Sequence, residues 1–151
     1  IIGDAERHDA NVLSDAVNIS SRLEGLTKVY GSQIIISDVI HKEILNNDAF
    51  HTRFLGRVKL KGKEENINVY ELFNQDQENV KKAKLETASL YDKALNAYFK
   101  KDFSTAIGLF SEVLKINKQD LVTGMYLQKS AKFLANGVPE NWNGVEQMVD
   151  K

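Results

Sequence analysis

Along the first 74 residues the apolar positions change period repeatedly, and each change marks a short element. Ile1 and Ile2 read as the end of a strand, and "GDAERHDAN" as a polar turn. The pattern then predicts a helix from Asp15 to about Tyr30, with Ser14 or Asp15 as its N-cap and Gly31 just past its end. "SQIIISD" is a short apolar β-branched run that reads as a buried strand, and "DVIHKEILNN" returns to helical spacing through Val39, Ile40, Ile44 and Leu45, with Ser37 available as a cap. "FHTRFLGRVKLKG" and "NINVYELF" alternate as two strands joined by the charged turn "KGKEEN", with Gly56 marking a bulge. The order is αβαββ, too few strands to complete an α/β layer by itself.

Beyond "NQDQEN" the period becomes helical and stays so. One helix runs through Leu85, Ala88, Tyr91, Leu95, Tyr98 and Phe99. A second runs through Phe103, Ala106, Ile107, Phe110 and Leu114, and a third through Leu121, Met125, Leu127, Ala131 and Leu134 until Gly137 and Pro139 stop it. The short break "KKDFS" makes the first two an antiparallel hairpin. The expected fold class is therefore α+β, a partial α/β sandwich at 1–74 followed by an all-α hairpin plus third helix at 75–151. The spacing of Tyr98, Ala106 and Phe110 resembles the tetratricopeptide pattern, but one repeat cannot bury a continuous core. The unit must lean on its third helix, the α/β part or another chain, as a packed cap or as a protein-binding groove. Trp142, Val145 and Met148 form either a docking segment or a stretch that folds back onto these helices, the second being favoured because an exposed apolar stripe is a liability.

Composition narrows the functional classes. With 20 Lys and Arg against 21 Asp and Glu, the chain has no basic field to attract nucleic acid. No cysteine is present, which removes disulfides and thiolate metal sites and agrees with a reducing compartment. No apolar run reaches the roughly 18 residues needed to span a bilayer, so a cytoplasmic location is expected, with membrane anchoring of a longer parent left open. The chain opens "IIGDAER" without an initiator Met, and the expectation is a piece of a longer protein.

Candidate chemistry concentrates in "NVLSDAVNISSRLEGLTK". Asn18 and Arg22 stand four apart and share a helix face, beside the small residues Ala16, Ser20 and Ser21. A guanidinium fork suits phosphate oxygens, and an amide suits a sugar or phosphate oxygen. The pair is thus a candidate anion or nucleotide site, against the plainer reading of a solvated face. His8, His41 and His51 lack metal-ligand spacing and read as surface or packing residues, and the scattered glycines form no phosphate loop.

The wider strings "VLSDAVNISSRLEGLTKVYGSQIIIS" and "FHTRFLGRVKLKGKEENINVYELF" resemble the C-terminal half of a class III nucleotidyl cyclase catalytic domain of the bacterial adenylate cyclase type. The resemblance covers residues 1 to about 74, and the tail is similar to helical extensions of some bacterial cyclases, down to the W-x-G-V ending in "PENWNGVEQMVDK". It implies that Asn18 orients the ribose, that Arg22 stabilises phosphate charge in the transition state, and that Lys61, with Lys63 as substitute, binds the terminal phosphates. Asn11 falls where ATP-preferring members often carry Asp or Thr for the adenine amino group. Its amide leaves guanine possible, adenine being favoured, and a turn role is equally open.

The same resemblance implies a Mg2+ or Mn2+ pair held by two Asp residues in the upstream half of the domain. That motif is missing here, and Asp4, Asp9 and Asp15 do not match it, so this chain alone is expected to be inactive. ATP is the implied substrate, and a second catalytic domain, in a homodimer, the implied partner. The competing reading is a degenerate cyclase-like scaffold whose helical tail binds a protein.

Overall fold

The computed structural model describes residues 23–60 and 64–147. Helical residues 23–30 (α1) lead into strand β1 (Ile35–Ser37), helix α2 (Asp38–Ile44) and the strands β2 (Thr52–Lys59) and β3 (Asn66–Leu72). Helices α3 (Glu78–Phe99), α4 (Phe103–Ile116) and α5 (Leu121–Asn136) follow, and a short strand β4 (Val145–Gln147) closes the described chain. The fold is α+β, with a four-stranded mixed sheet in the order β1-β3-β2-β4. β3 pairs antiparallel with β1 and β2, while β4 runs parallel to β2.

The antiparallel hairpin forms where alternation predicted it, and its register shifts between Phe54 and Gly56, a bulge at the expected glycine. The extra residue leaves the carbonyls of Phe54 and Leu55 to find acceptor roles outside the ladder. Tyr91 on α3 donates its hydroxyl to the Phe54 carbonyl at 2.6 Å, and Tyr126 on α5 donates to the Leu55 carbonyl at 2.6 Å. Gly56 is required here by proximity: a Cβ would stand 2.9 Å from the Tyr126 hydroxyl and 3.2 Å from that of Tyr30.

Ser37 does stand at the N-cap position of α2, but its side chain makes no capping bond. The two long-tail junctions are better capped. Asp102 accepts from the Thr105 amide ahead of α4, and Asp120 from the Thr123 amide ahead of α5. Tyr98, Ala106 and Phe110, the positions expected to let helices sit together, are all fully buried.

A single apolar cluster runs through both halves. Leu23, Leu26 and Tyr30 of α1 and Leu55, Val58 and Val69 of the sheet pack with Tyr91, Leu95, Phe110, Val113 and Tyr126 of the helices. Each large side chain taken from water in this way contributes roughly 1.5–3 kcal/mol before entropy is counted. The helical unit is thus the cover of one sheet face.

The C-terminal segment folds back, as the apolar stripe required. Trp142 packs edge-on against Tyr98, Phe103 and Phe133, with centroids 5.4–5.7 Å away. Gly144 takes a left-handed φ of 80° and presses on the Phe99 ring, where a side chain would collide. From there β4 reaches the edge of β2 at Arg57–Lys59, a strand pairing that no alternation in this short stretch announced. Lys129 of α5 fixes it with an ion pair to Glu146 at 2.6 Å.

Candidate functional site

Asn11, Asn18, Arg22 and Lys61, with the substitute Lys63, lie outside the described residues, so the structure describes what flanks them. Leu23 directly follows Arg22, and Leu23, Leu26 and Tyr30 are each at most 5% exposed, which anchors α1 from one side in the common core. On the other flank, β2 ends at Lys59, and Leu60 is 2% exposed immediately before Lys61. Both flanks therefore enter rigid, buried structure.

The electrostatic centre of the described molecule is a buried network that the sequence reading did not single out. Arg53 of β2 donates from Nη2 to both carboxylate oxygens of Asp120, each at 2.8 Å, and to Thr123 Oγ1 at 3.2 Å. Its guanidinium lies 4.0 Å over the Tyr91 ring. Glu71, the cross-strand partner of Arg53, accepts from Ser32 Oγ at 2.7 Å and pairs with Lys84 at 3.0 Å, which in turn meets Asp76 at 2.6 Å. Burial alone would raise the Asp120 carboxyl, yet Arg53 and Thr123 hold it below the ordinary aspartate value. Burial likewise opposes the Arg53 charge, and Tyr91, Asp120 and Glu71 outweigh it, so its pKa lies above the ordinary value.

This network ties strand β2 to the start of α5 and strand β3 to α3, and its hydroxyls, Ser32 and Thr123, donate to the carboxylates of Glu71 and Asp120. Its chemistry is structural. A signal for it existed in the sequence: Arg53 and Glu71 each fall in the inward phase of their strand, beside Leu55 and Val69, where an unpaired charge would be costly. The histidines pack as expected. His41 stacks flat on Tyr70 at 3.7 Å, where burial lowers its pKa against the opposing pull of Asp38, and His51 stacks on Phe73 at 5.8 Å. His8 lies outside the described residues.

Among the described residues no three His, Asp or Glu side chains gather closely enough to hold a metal ion. The resemblance placed the Mg2+ or Mn2+ ligands in an upstream half of the domain, outside this chain. No described helix is long and apolar enough to cross a membrane.

No family model matches the chain, and no solved structure does. It is 31% identical over 130 residues to the adenylate cyclase, terminal-differentiation specific, of Dictyostelium discoideum, covering 85% of this chain and 6% of that protein. It is 42% identical over 72 residues to an adenylate cyclase of Anabaena cylindrica, 47% of this chain and 14% of that one. It is 34% identical over 71 residues to adenylate cyclase 1 of Rhizobium meliloti, 47% of this chain and 10% of that one. These similarities support an adenylate cyclase family and a cyclase-related function. The chain spans only 6% to 14% of the length of these relatives. A 130-residue similarity is longer than residues 1–74, so in the Dictyostelium discoideum protein it extends into the helical part.

Proposed function

We propose that this chain supplies the ribose- and phosphate-binding part of a class III adenylate cyclase, which converts ATP to 3',5'-cyclic AMP and pyrophosphate in bacterial signal transduction. The observation that carries the reading is the similarity to proteins named adenylate cyclase, 130 residues long in one case, joined to the motif residues Asn18, Arg22 and Lys61. In the reaction the ribose 3'-oxygen bonds to the α-phosphorus as the bond to pyrophosphate breaks. Asn18 orients the ribose, Arg22 stabilises charge on the phosphates in the transition state, and Lys61 holds the terminal phosphates, a division of labour that works by positioning and electrostatics. Asn11 accepts the hydrogen bond of the adenine amino group.

In this reading the divalent cations are held by carboxylates of a longer protein, and the site is completed by a second catalytic domain in a homodimer. On its own the chain is inactive. The helices α3 and α4 form a tetratricopeptide-like pair, a view supported by the burial of Tyr98, Ala106 and Phe110.

Changing Arg22 to Ala in such a longer protein tests the assignment. Because a transition-state contact is lost, kcat should fall by about 100-fold or more with the melting temperature unchanged. Loss of folding and activity in step would make Arg22 a structural residue.

A further inference from the structure

The bulge in β2 has a chemical by-product. Phe54 pairs with Tyr70 and Arg57 with Asn68, so the extra residue brings Phe54 and Arg57, three apart, onto one face of the sheet. Asp92, Leu95, Asn96 and Phe99 of α3 face them at helical spacing. Between the two surfaces lies a cleft of about 370 Å³, open to solvent and within the usual range for small-molecule sites, roughly 300–1,000 Å³.

Its lining is divided. Phe54, Leu95 and Phe99 give an apolar floor, with the two rings edge-to-face at 6.0 Å. Arg57 is held over the Phe99 ring at 4.8 Å and donates to the Asn143 carbonyl at 3.4 Å. Asp92 supplies one carboxyl group, its pKa raised by burial against the opposing pull of Arg53. Neither Arg57 nor Asp92 forms an ion pair with another described residue. Asn68 and Asn96 add amides that both donate and accept.

We propose that this cleft binds a free α-amino acid with a large apolar or aromatic side chain, Arg57 taking the carboxylate, Asp92 the ammonium and the apolar floor the side chain. One cation and one anion lining the same cleft match the carboxylate and ammonium that an α-amino acid carries on a single carbon. A nucleotide, net negative, would carry no cation for Asp92. The site lies where the sheet meets the helical unit, and the proposal does not depend on the cyclase reading.

The test is a titration of the full chain with L-phenylalanine, followed by NMR of the Asn68 and Asn96 side-chain amides and the Leu95 backbone amide. 3-Phenylpropionate, which lacks the ammonium, phenethylamine, which lacks the carboxylate, and adenosine 5'-monophosphate serve as comparators. The proposal predicts saturable shifts with a Kd of about 1 mM or tighter. It also predicts binding at least about tenfold weaker for both single-charge analogues and for the exposed-site variants Arg57→Gln and Asp92→Asn, whose spectra report whether the fold is kept. No shift by about 10 mM, equal affinity for the analogues or the variants, or tighter binding of the nucleotide would overturn it.

Discussion

At the scale of single residues, the strongest consequence lies in the pair Arg53 and Asp120, both at most 9% exposed. Breaking a buried, hydrogen-bonded pair strands the remaining charge, so Asp120→Ala should lower unfolding free energy by about 3–5 kcal/mol in chemical denaturation. The same pair sets an acid limit. The folded Asp120 pKa lies below its unfolded value, so its contribution is complete above the ordinary aspartate pKa and is lost as pH falls through the lowered folded one. Wild type should therefore lose stability in that acid window, and the Asp120→Ala variant should show a shallower loss there. Equal slopes would place the acid sensitivity elsewhere than at Asp120. Part of this scale was legible. The bulge at Gly56 follows from the place of that glycine inside a strand pattern, while the cap residue Asp120 was not singled out. That Asp120 also receives Arg53, 67 residues earlier, was not legible, because ion-pair partners so distant in sequence leave no local period.

At the scale of elements, local periodicity carried α3, α4, α5 and the β2–β3 hairpin, whose apolar positions repeat for many residues. It failed at the ends. "SQIIISD" was expected as a buried strand, yet β1 covers only Ile35–Ser37 and is half-buried, with one further bond to β3 from the Leu72 amide to the Ile34 carbonyl at 3.0 Å. β4 was missed since three residues hold too little alternation, and its pairing depends on Trp142 docking among Tyr98, Phe103 and Phe133. That dependence is measurable. Trp142→Ala should speed hydrogen exchange of backbone amides in the β2–β4 contact around Arg57–Lys59, while amides in the centre of α4 keep their protection. Unchanged exchange at β2 would mean that the Lys129–Glu146 ion pair alone suffices to hold the strand.

At the scale of the whole molecule, the sheet and the helices share one core, and the notion of a detachable tail meets that fact directly. A chain ending after Phe73 would expose Leu55, Val58 and Val69, which are now fully buried, and would strip Arg53 of Asp120 and the bulge carbonyls of both tyrosine donors. Such a truncation should aggregate or bind a hydrophobic dye strongly, and a soluble, cooperatively folding product would show that the α/β part needs no cover. The candidate site was legible only through its motif. Four residues, Asn11, Asn18, Arg22 and Lys61, were drawn from separated strings, and no spacing rule could supply the pair of metal-binding Asp residues that the resemblance places upstream of these strings. The central claim, that this chain contributes nucleotide-contacting residues to cyclic nucleotide synthesis, is tested most directly by cyclic AMP formation from ATP with Mn2+. The assay compares this chain with a version extended on its N-terminal side to include two metal-binding Asp residues. Product from the extended protein alone is the predicted result, and no product from either would contradict the claim.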